Sequence, residues 1–316
     1  MYDSNSKGIS YTAGFFILIG FSIAALFAAT LISIPVWMGM TGQGIDSMEK
    51  DMSNPAYSDA IKVIAAITAI IGFLMPAIFT SLLLNRKPLK LLGFQGRVNG
   101  NQLALVLFIV IFSLLVSASL AYFNEMIPLT EKLRALFDRL EKEYNEQVEI
   151  IISLNNIFDF FIALVLLAFL PALCEEALFR GGMQNFLTRS TNKPWLSIVI
   201  VSFIFSIAHF SFYGFSSRFF LGVMLGLLFH LSGRLWLSIL AHFLNNAAAI
   251  TVIYIYKLQG KSIKEAIAES ESTWWGMLAL PLVIILFVWF HRFSKKGKEE
   301  SETHVPARSD SGDLFY

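Results

Sequence analysis

The 316-residue chain has little charge and a single cysteine, and each shortage excludes a class of protein. Charged residues make up 15% of the sequence, whereas soluble domains carry about 25%, so an ordinary soluble domain is excluded. The single cysteine, Cys174, excludes an intramolecular disulfide. The first ten residues lack the basic region of a secretory signal peptide. No basic stripe with interleaved aromatic residues is present, so we expect no nucleic-acid partner.

Hydrophobic residues make up 56% of the chain and lie in long runs. A run of about 20 apolar residues is long enough to cross the roughly 30 Å hydrocarbon core of a bilayer. The sequence therefore predicts an all-α, polytopic transmembrane helical bundle with about eight spans, and the sixth is expected to be the shortest. The predicted spans are 11–38, 60–84, 102–123, 156–187, 195–212, 219–231, 235–256 and 274–290.

The charges in the short loops predict how the chain is oriented in the membrane. The loop after the second span carries Arg86, Lys87 and Lys90 without an acidic residue, whereas the loop after the first span carries Asp46 and Glu49. Because lysine and arginine collect in cytoplasmic loops, the first of these loops belongs inside and the second outside. We expect a multi-pass protein of the prokaryotic plasma membrane with both termini cytoplasmic, which requires an even number of spans.

Four regions follow from this pattern: an N-terminal region of three spans (1–155), a central core (156–256), a last span (257–293) and a polar tail (294–316) that we expect to be disordered.

The N-terminal region ends in a segment, 124–155, that is not part of any predicted span. Within it, apolar residues recur at helical spacing over 131–151 with charges between them, which predicts an amphipathic helix. Such a helix could lie on the outer face of the bilayer or cap the spans, and a solvated connector is an equally open interpretation.

The core contains three charged residues inside an apolar run that is predicted to span the membrane. Glu175, Glu176 and Arg180 lie within six residues of an apolar run, and a charge near the centre of a membrane helix costs at least about 2.5 kcal/mol. Glu176 and Arg180 are four residues apart and share a helix face, so we predict a structural ion pair. Glu175 points about 100° away and is the candidate for chemistry.

Two later spans each carry a histidine, His209 and His242, and Asn246 follows the second by one helical turn. At about 1.5 Å per residue, these residues and Glu175 fall at similar depths, so we expect them to meet.

The residue types fit two chemistries. A carboxylate and an imidazole can deprotonate a water molecule, while a second imidazole and a carboxamide can stabilise an oxyanion. Alternatively, Glu175, His209 and His242 make the three-ligand set of a catalytic Zn²⁺. The usual His-Glu-x-x-His zinc signature is absent, and the sequence leaves both chemistries open.

The order of these residues resembles the CPBP (Abi) family, the CAAX-processing and bacteriocin-processing intramembrane proteases. The family motifs are Glu-Glu-x-x-x-Arg, Phe-x-x-x-His and His-x-x-x-Asn or Asp. They are matched here by Glu175, Glu176 and Arg180, by Phe205 and His209, and by His242 and Asn246. The resemblance covers about residues 162–256. It implies an α-helical membrane fold in which Glu175 and His209 activate water and His242 and Asn246 stabilise the oxyanion. It implies nothing for the first three spans or for 124–155.

The sequence thus predicts an intramembrane endopeptidase, of metallo or glutamate type, whose substrate is a peptide or lipid-modified protein entering from the membrane. Two alternatives from other classes stay open. A proton-coupled secondary transporter would use the buried glutamate and histidines as a relay, although no duplication of the chain into two halves is visible. A non-proteolytic membrane scaffold or immunity factor would keep the motifs without turnover.

Overall fold

The computed structural model describes residues 4–52, 54–96, 98–152, 154, 156–261 and 273–303, and within these ranges its regular structure is helical. The all-α polytopic bundle predicted from the sequence is confirmed. The helices are α1 (Tyr11–Thr41), α2 (Ile45–Asp51), α3 (Pro55–Leu84), α4 (Pro88–Leu92), α5 (Gly100–Glu125), α6 (Glu131–Ile151), α7 (Ile157–Thr191), α8 (Pro194–Ile207), α9 (Phe215–Ser232), α10 (Leu235–Leu258) and α11 (Leu280–Thr303), with a 3-10 segment, Trp274–Ala279, before the last.

Seven helical segments of the described chain are long and apolar enough to cross a membrane, which makes this an integral multi-pass membrane protein. They are α1, α3, α5, α7, α9, α10 and Trp274–Lys295. The prediction of a full span over 195–212 is wrong, because α8 ends at Ile207 after 14 residues and is only about 21 Å long. The span expected to be shortest, 219–231, is longer than predicted, since α9 has 18 residues.

The chain leaves the helical path just after α8. The turn tightens there, because the Phe210 backbone N–H bonds the carbonyl of Ile207, three residues back. Phe210 itself has a left-handed backbone with φ of 49°, a conformation that no L-residue continues as a helix. Residues 208–214 therefore form a loop, here called the His209 loop, between α8 and the start of α9.

Helix α7 changes its winding on both sides of the paired glutamates. An α-helical turn, Leu170–Glu176, lies between two π-helical segments, Leu164–Phe169 and Ala177–Gln184. Pro171, in the second position of the α-helical turn, has no N–H to donate, which accounts for a local break in the hydrogen-bond ladder. Wide π turns occur in other proteins mostly at functional sites.

Two glycines let α9 approach its neighbours closely, as the small-xxx-small spacing of Gly222 and Gly226 predicts. A Cβ built on Gly222 would lie 2.8 Å from the Cβ of Ser202 on α8, and one on Gly226 would lie 2.7 Å from Oε1 of Gln184 on α7. Both distances are shorter than real Cβ atoms tolerate. These two positions therefore fix how near α9 lies to α7 and α8.

Helix α6 has the bounds predicted for the amphipathic segment, beginning after the cap residue Thr130. Its C-terminal end is anchored to the bundle, since Ile150 is buried in a cluster with Trp37 of α1 and Ile61 of α3. Leu133 and Leu136, near its N-terminal end, are exposed. Of the interpretations left open by the sequence, capping of the spans describes this helix best.

The polar tail departs from its predicted disorder over its first ten residues. Helix α11 continues through Thr303, and Ser294, where disorder was expected to begin, is buried. Its hydroxyl accepts a hydrogen bond from Nε2 of Gln102 on α5 at 3.0 Å. The helix that forms in the apolar run ending near Phe293 thus continues into the polar sequence. The rest of the predicted disordered tail, 304–316, lies outside the described residues.

Candidate active site

The buried ion pair predicted on α7 is present. Arg180 donates a hydrogen bond from Nη1 to Oε1 of Glu176 at 2.5 Å, and both side chains are almost fully buried. Arg180 also donates from Nη2 to the carbonyl of Gly222 at 3.2 Å, and its guanidinium lies 4.5 Å from the ring centroid of Phe205. A buried charge needs such multiple partners, because desolvation costs several kcal/mol per ion. The pair joins α7 to α8 and α9.

Glu176 has a second partner that the sequence did not predict. Its Oε1 lies 3.0 Å from Nδ1 of His242 on α10. A carboxylate only accepts hydrogen bonds, so Nδ1 carries a proton and donates it to Glu176. The carboxylate therefore fixes both the tautomer and the orientation of the His242 ring, as a carboxylate does for a catalytic histidine. Nothing along the chain signals this contact between residues 66 positions apart.

His209 lies in the loop after α8, and a hydrogen bond to the backbone of α8 orients its ring. Its Nδ1 lies 2.8 Å from the Phe205 carbonyl, an oxygen that can only accept, so Nδ1 is the protonated nitrogen. The other ring nitrogen, Nε2, lies 3.9 Å from Oε2 of Glu175. That separation is too long for a direct hydrogen bond. Oε2 of Glu175 is buried and receives no hydrogen bond from any residue of the described chain.

A cavity of about 520 Å³ lies where α7, α9, α10 and the His209 loop meet. Glu175, His209, His242 and Asn246, the four predicted catalytic residues, all contribute to its wall, whereas Glu176 and Arg180 lie behind it. The complete lining is Val148, Ile151, Ile152, Leu167, Pro171, Glu175, Phe205, His209, Arg218, Leu221, His242, Asn245, Asn246, Ala249, Ile250 and Ile253.

The two asparagines of α10 act together in the cavity wall. Nδ2 of Asn246 donates to the Leu167 carbonyl at 3.4 Å, and Oδ1 of Asn246 accepts from Nδ2 of Asn245 at 3.2 Å. Since a carboxamide has two N–H groups, Asn246 keeps a second donor for another acceptor. Asn245 lines the cavity together with Asn246.

The sequence reasoning also missed Arg218 and the end of α6. Arg218, in the first turn of α9, brings a cation to the cavity wall, and Val148, Ile151 and Ile152 form part of its apolar side. A signal for Arg218 existed, since it is a charge at the start of an apolar run. No signal placed the end of α6 here, because the direction of a surface helix depends on its tertiary contacts.

The possible zinc ligands predicted from the sequence, Glu175, His209 and His242, all line the cavity. Within the part of the chain that the structure describes, no group of three histidine, cysteine, aspartate or glutamate side chains is arranged to hold a metal ion. Glu175 Oε2 and His209 Nε2 are 3.9 Å apart, and Nδ1 of His242 is hydrogen bonded to Glu176, which leaves Nε2 as the nitrogen that an ion would use. The residues do not fit the ion as they stand, so no step through a metal is derived. Zn²⁺ stays a prediction.

Comparison with known families agrees with the three motifs. Residues 157–248, under a third of the chain, match the family described as type II CAAX prenyl endopeptidase Rce1-like. The match begins at the start of α7 and ends two residues beyond Asn246, so it contains every predicted site residue. Comparison with the curated proteins and with the solved structures gives no match.

Proposed function

We propose that this chain, whose segment 157–248 matches the type II CAAX prenyl endopeptidase family, is an intramembrane endopeptidase whose water nucleophile is activated by Glu175 and His209. The family supports a membrane protease of the CAAX type, and the division of roles among the residues is our proposal. The observation that carries it is that Glu175, His209, His242 and Asn246, which come from two helices and a loop, line one cavity.

The spacing of Glu175 and His209 suits a shared water molecule. Both Oε2 of Glu175 and Nε2 of His209 are acceptors, since the proton of the His209 ring is on Nδ1. A water that donates about 2.8 Å hydrogen bonds to two acceptors holds them roughly 4.4 Å apart, close to the 3.9 Å found here. Such a water would have its oxygen lone pairs directed away from both groups, toward a scissile carbonyl in the cavity.

In the first step the water oxygen attacks the peptide carbonyl carbon while a proton passes to Glu175 or His209. The C–O bond forms as the carbonyl π bond breaks, which gives a tetrahedral intermediate with a negatively charged oxygen. When the C–N bond breaks, the proton held by the base passes to the leaving amine. The products are a carboxylic acid and an amine, and no covalent bond to the protein forms.

His242 and Asn246 would stabilise the negative oxygen. The Nδ1–H of His242 is donated to Glu176, so His242 can donate from Nε2 only as the doubly protonated imidazolium. Glu176 stabilises that cation electrostatically. The second N–H of Asn246 supplies the other donor. A donor set fixed before the reaction starts is often the largest single contribution to catalysis.

The walls of the cavity favour a largely apolar peptide segment. Ile151, Ile152, Ile250 and Ile253 line one side and the polar residues the other, the usual pattern of a site that holds an apolar ligand and orients it through a few polar groups. We propose a peptide or a lipid-modified protein that enters from the bilayer. We further propose the prokaryotic plasma membrane with both chain termini cytoplasmic, on the strength of the basic loop at Arg86 and Lys87. This placement counts the short helix α8 as an eighth crossing beside the seven longer helices.

The test is cleavage by the purified protein in liposomes, measured by mass spectrometry on a library of membrane-associated peptides with and without a prenyl group. We expect cleavage by the wild type and none by Glu175→Gln. The same liposomes are loaded with a pH-sensitive dye. Proton flux without cleavage would favour the transporter, and neither activity in any member of the library would favour the scaffold.

A further inference from the structure

The His209 loop is held by two structures that lie outside the family match, helix α6 and the end of α5. The loop has no regular secondary structure of its own, so the position of His209 depends on what contacts residues 208–214. On the α5 side, Asn124 donates from Nδ2 to the Phe212 carbonyl at 2.7 Å and accepts from the hydroxyl of Ser216 at 2.6 Å.

Three contacts join α6 to the same loop. Ser211, two residues after His209, is buried and donates its hydroxyl proton to Oε2 of Glu141 at 2.6 Å. The ring of Phe212 stacks on that of Phe137, with centroids 4.4 Å apart and planes 5° from parallel.

The third contact is a hydrogen bond from the hydroxyl of Tyr213 to Oδ1 of Asp138 at 2.5 Å. This bond raises the pKa of Tyr213, so the hydroxyl remains a donor throughout the neutral range. Three successive loop residues therefore each contact α6.

Within the loop, Ser211 makes a second hydrogen bond. Its Oγ also accepts the backbone N–H of Gly214 at 3.1 Å, so Glu141, Ser211 and Gly214 form one chain of hydrogen bonds. This chain closes the loop at the residue that precedes α9. The end of α6 lines the cavity through Val148 and Ile151, and Ile152, the residue after the helix, lines it as well. The same helix thus contacts the loop that carries His209 and encloses the space in front of it.

We propose that α6 is a positioning element of the active site and that Glu141 is a positioning residue, which acts on His209 by holding Ser211. The inference rests on the proposed function, and it gives the unexplained segment 124–155 a role in catalysis. The 3.9 Å spacing between Glu175 and His209 suits a shared water, and a shift of His209 of about 1 Å can lower a rate by up to 100-fold.

The kinetic test compares Glu141→Ala, Ser211→Ala, Glu141→Gln and the double variant of Glu141→Ala with Ser211→Ala. We expect each alanine variant to lower kcat about tenfold, with KM within about twofold of wild type. The double variant should be no slower than either single one, because both remove the same contact. Glu141→Gln should keep most of the activity, since its amide oxygen still accepts the Ser211 hydroxyl.

Glu143→Ala is the matched control. Glu143 lies on the same helix and pairs with Arg139. Glu143→Ala therefore removes one negative charge from α6, as Glu141→Ala does, but no contact with the His209 loop, and we expect wild-type kcat. Wild-type kcat in Ser211→Ala, or losses that multiply in the double variant, would overturn the proposal. Should Glu141→Ala fail to fold, the kcat of Ser211→Ala, a smaller change, tests the proposal by itself.

A second readout does not depend on turnover, so it separates this inference from the proposed function. In protein labelled with ¹⁵N-histidine, the His209 resonances are assigned by their loss in His209→Asn. We expect these resonances to shift or broaden in Ser211→Ala and Glu141→Ala, and to stay in place in Glu141→Gln and Glu143→Ala. Unchanged His209 resonances in both alanine variants would overturn the positioning role even if the wild type cleaves no peptide.

Discussion

Glu176 and His242 are hydrogen bonded at 3.0 Å across 66 residues of sequence, and the same carboxylate oxygen accepts from Arg180. The residue pair that the sequence presents as purely structural is therefore linked to the ring that faces the cavity. One buried carboxylate balances the charge of Arg180 and orients His242. Glu175 lines the cavity and Glu176 does not, and this difference supports the proposed division into a catalytic and a structural glutamate.

Glu176→Gln tests this link. Loss of the negative charge removes the electrostatic support for a doubly protonated His242, so we expect kcat to fall about 100-fold, the scale of a lost oxyanion donor. KM should change little.

Arg180→Met tests the ion pair itself. It leaves the buried carboxylate of Glu176 without its cation, at a cost of about 3–5 kcal/mol in stability. We expect it to lower the thermal unfolding midpoint in detergent, and an undisturbed midpoint would contradict the buried pair.

The two asparagines of α10 provide a comparison between neighbours. Because Asn246 supplies the oxyanion donor in our account, Asn246→Ala should lower kcat by about 100- to 1000-fold. Asn245 holds Asn246 through a single 3.2 Å hydrogen bond, so Asn245→Ala should cost less than about tenfold. Steady-state kinetics on one peptide substrate measure both. Equal losses in the two variants would show that the roles are not divided in this way.

Gly222 tests the packing that brings the helices of the site together. A side chain there would collide with Ser202 on α8, and overpacking of this kind costs about 1–3 kcal/mol. It would also push away the carbonyl that accepts from Arg180. We expect Gly222→Val to lower the unfolding midpoint and the activity together. Gly20 of α1 has open space around its Cβ position, so Gly20→Val is the control that should leave both unchanged.

Metal content distinguishes the two chemistries that the sequence leaves open. Since the described residues provide no three-ligand group for an ion, we expect elemental analysis of active protein to find far less than one zinc per chain. Activity should survive dialysis against a chelator. Stoichiometric zinc, together with loss of activity on chelation and its recovery on adding zinc back, would contradict this expectation.

The fold was predictable wherever a single physical signal dominated. Long apolar runs gave α1, α3, α5, α7 and α10, because backbone groups in hydrocarbon must be hydrogen bonded within the helix. The end of α8 at Ile207 was not predictable from hydropathy, since the apolar run continues through Phe210 and Phe212. In the structure those two rings belong to a loop that packs on α6.

Glu175, His209, His242 and Asn246 were found because charged and polar groups inside apolar runs are rare enough to be noticed. The side chains that support them were not found. Ser211 and Glu141 are ordinary residues for a loop and a surface helix, and their contact depends on where α6 lies relative to α8 and α9. Spacing along the chain fixes which residues share a helix face, but not how helices are rotated toward each other.

Water activation by Glu175 and His209 is the central step of the proposed function. The most direct measurement is kcat for cleavage of one membrane-embedded peptide by wild type, Glu175→Gln and His209→Ala, with Glu143→Gln on α6 as the matched control and gel filtration to verify folding. We predict losses of at least about 100-fold for the first two variants and none for the control. Folded Glu175→Gln or His209→Ala protein that cleaves the peptide at the wild-type rate would contradict the account.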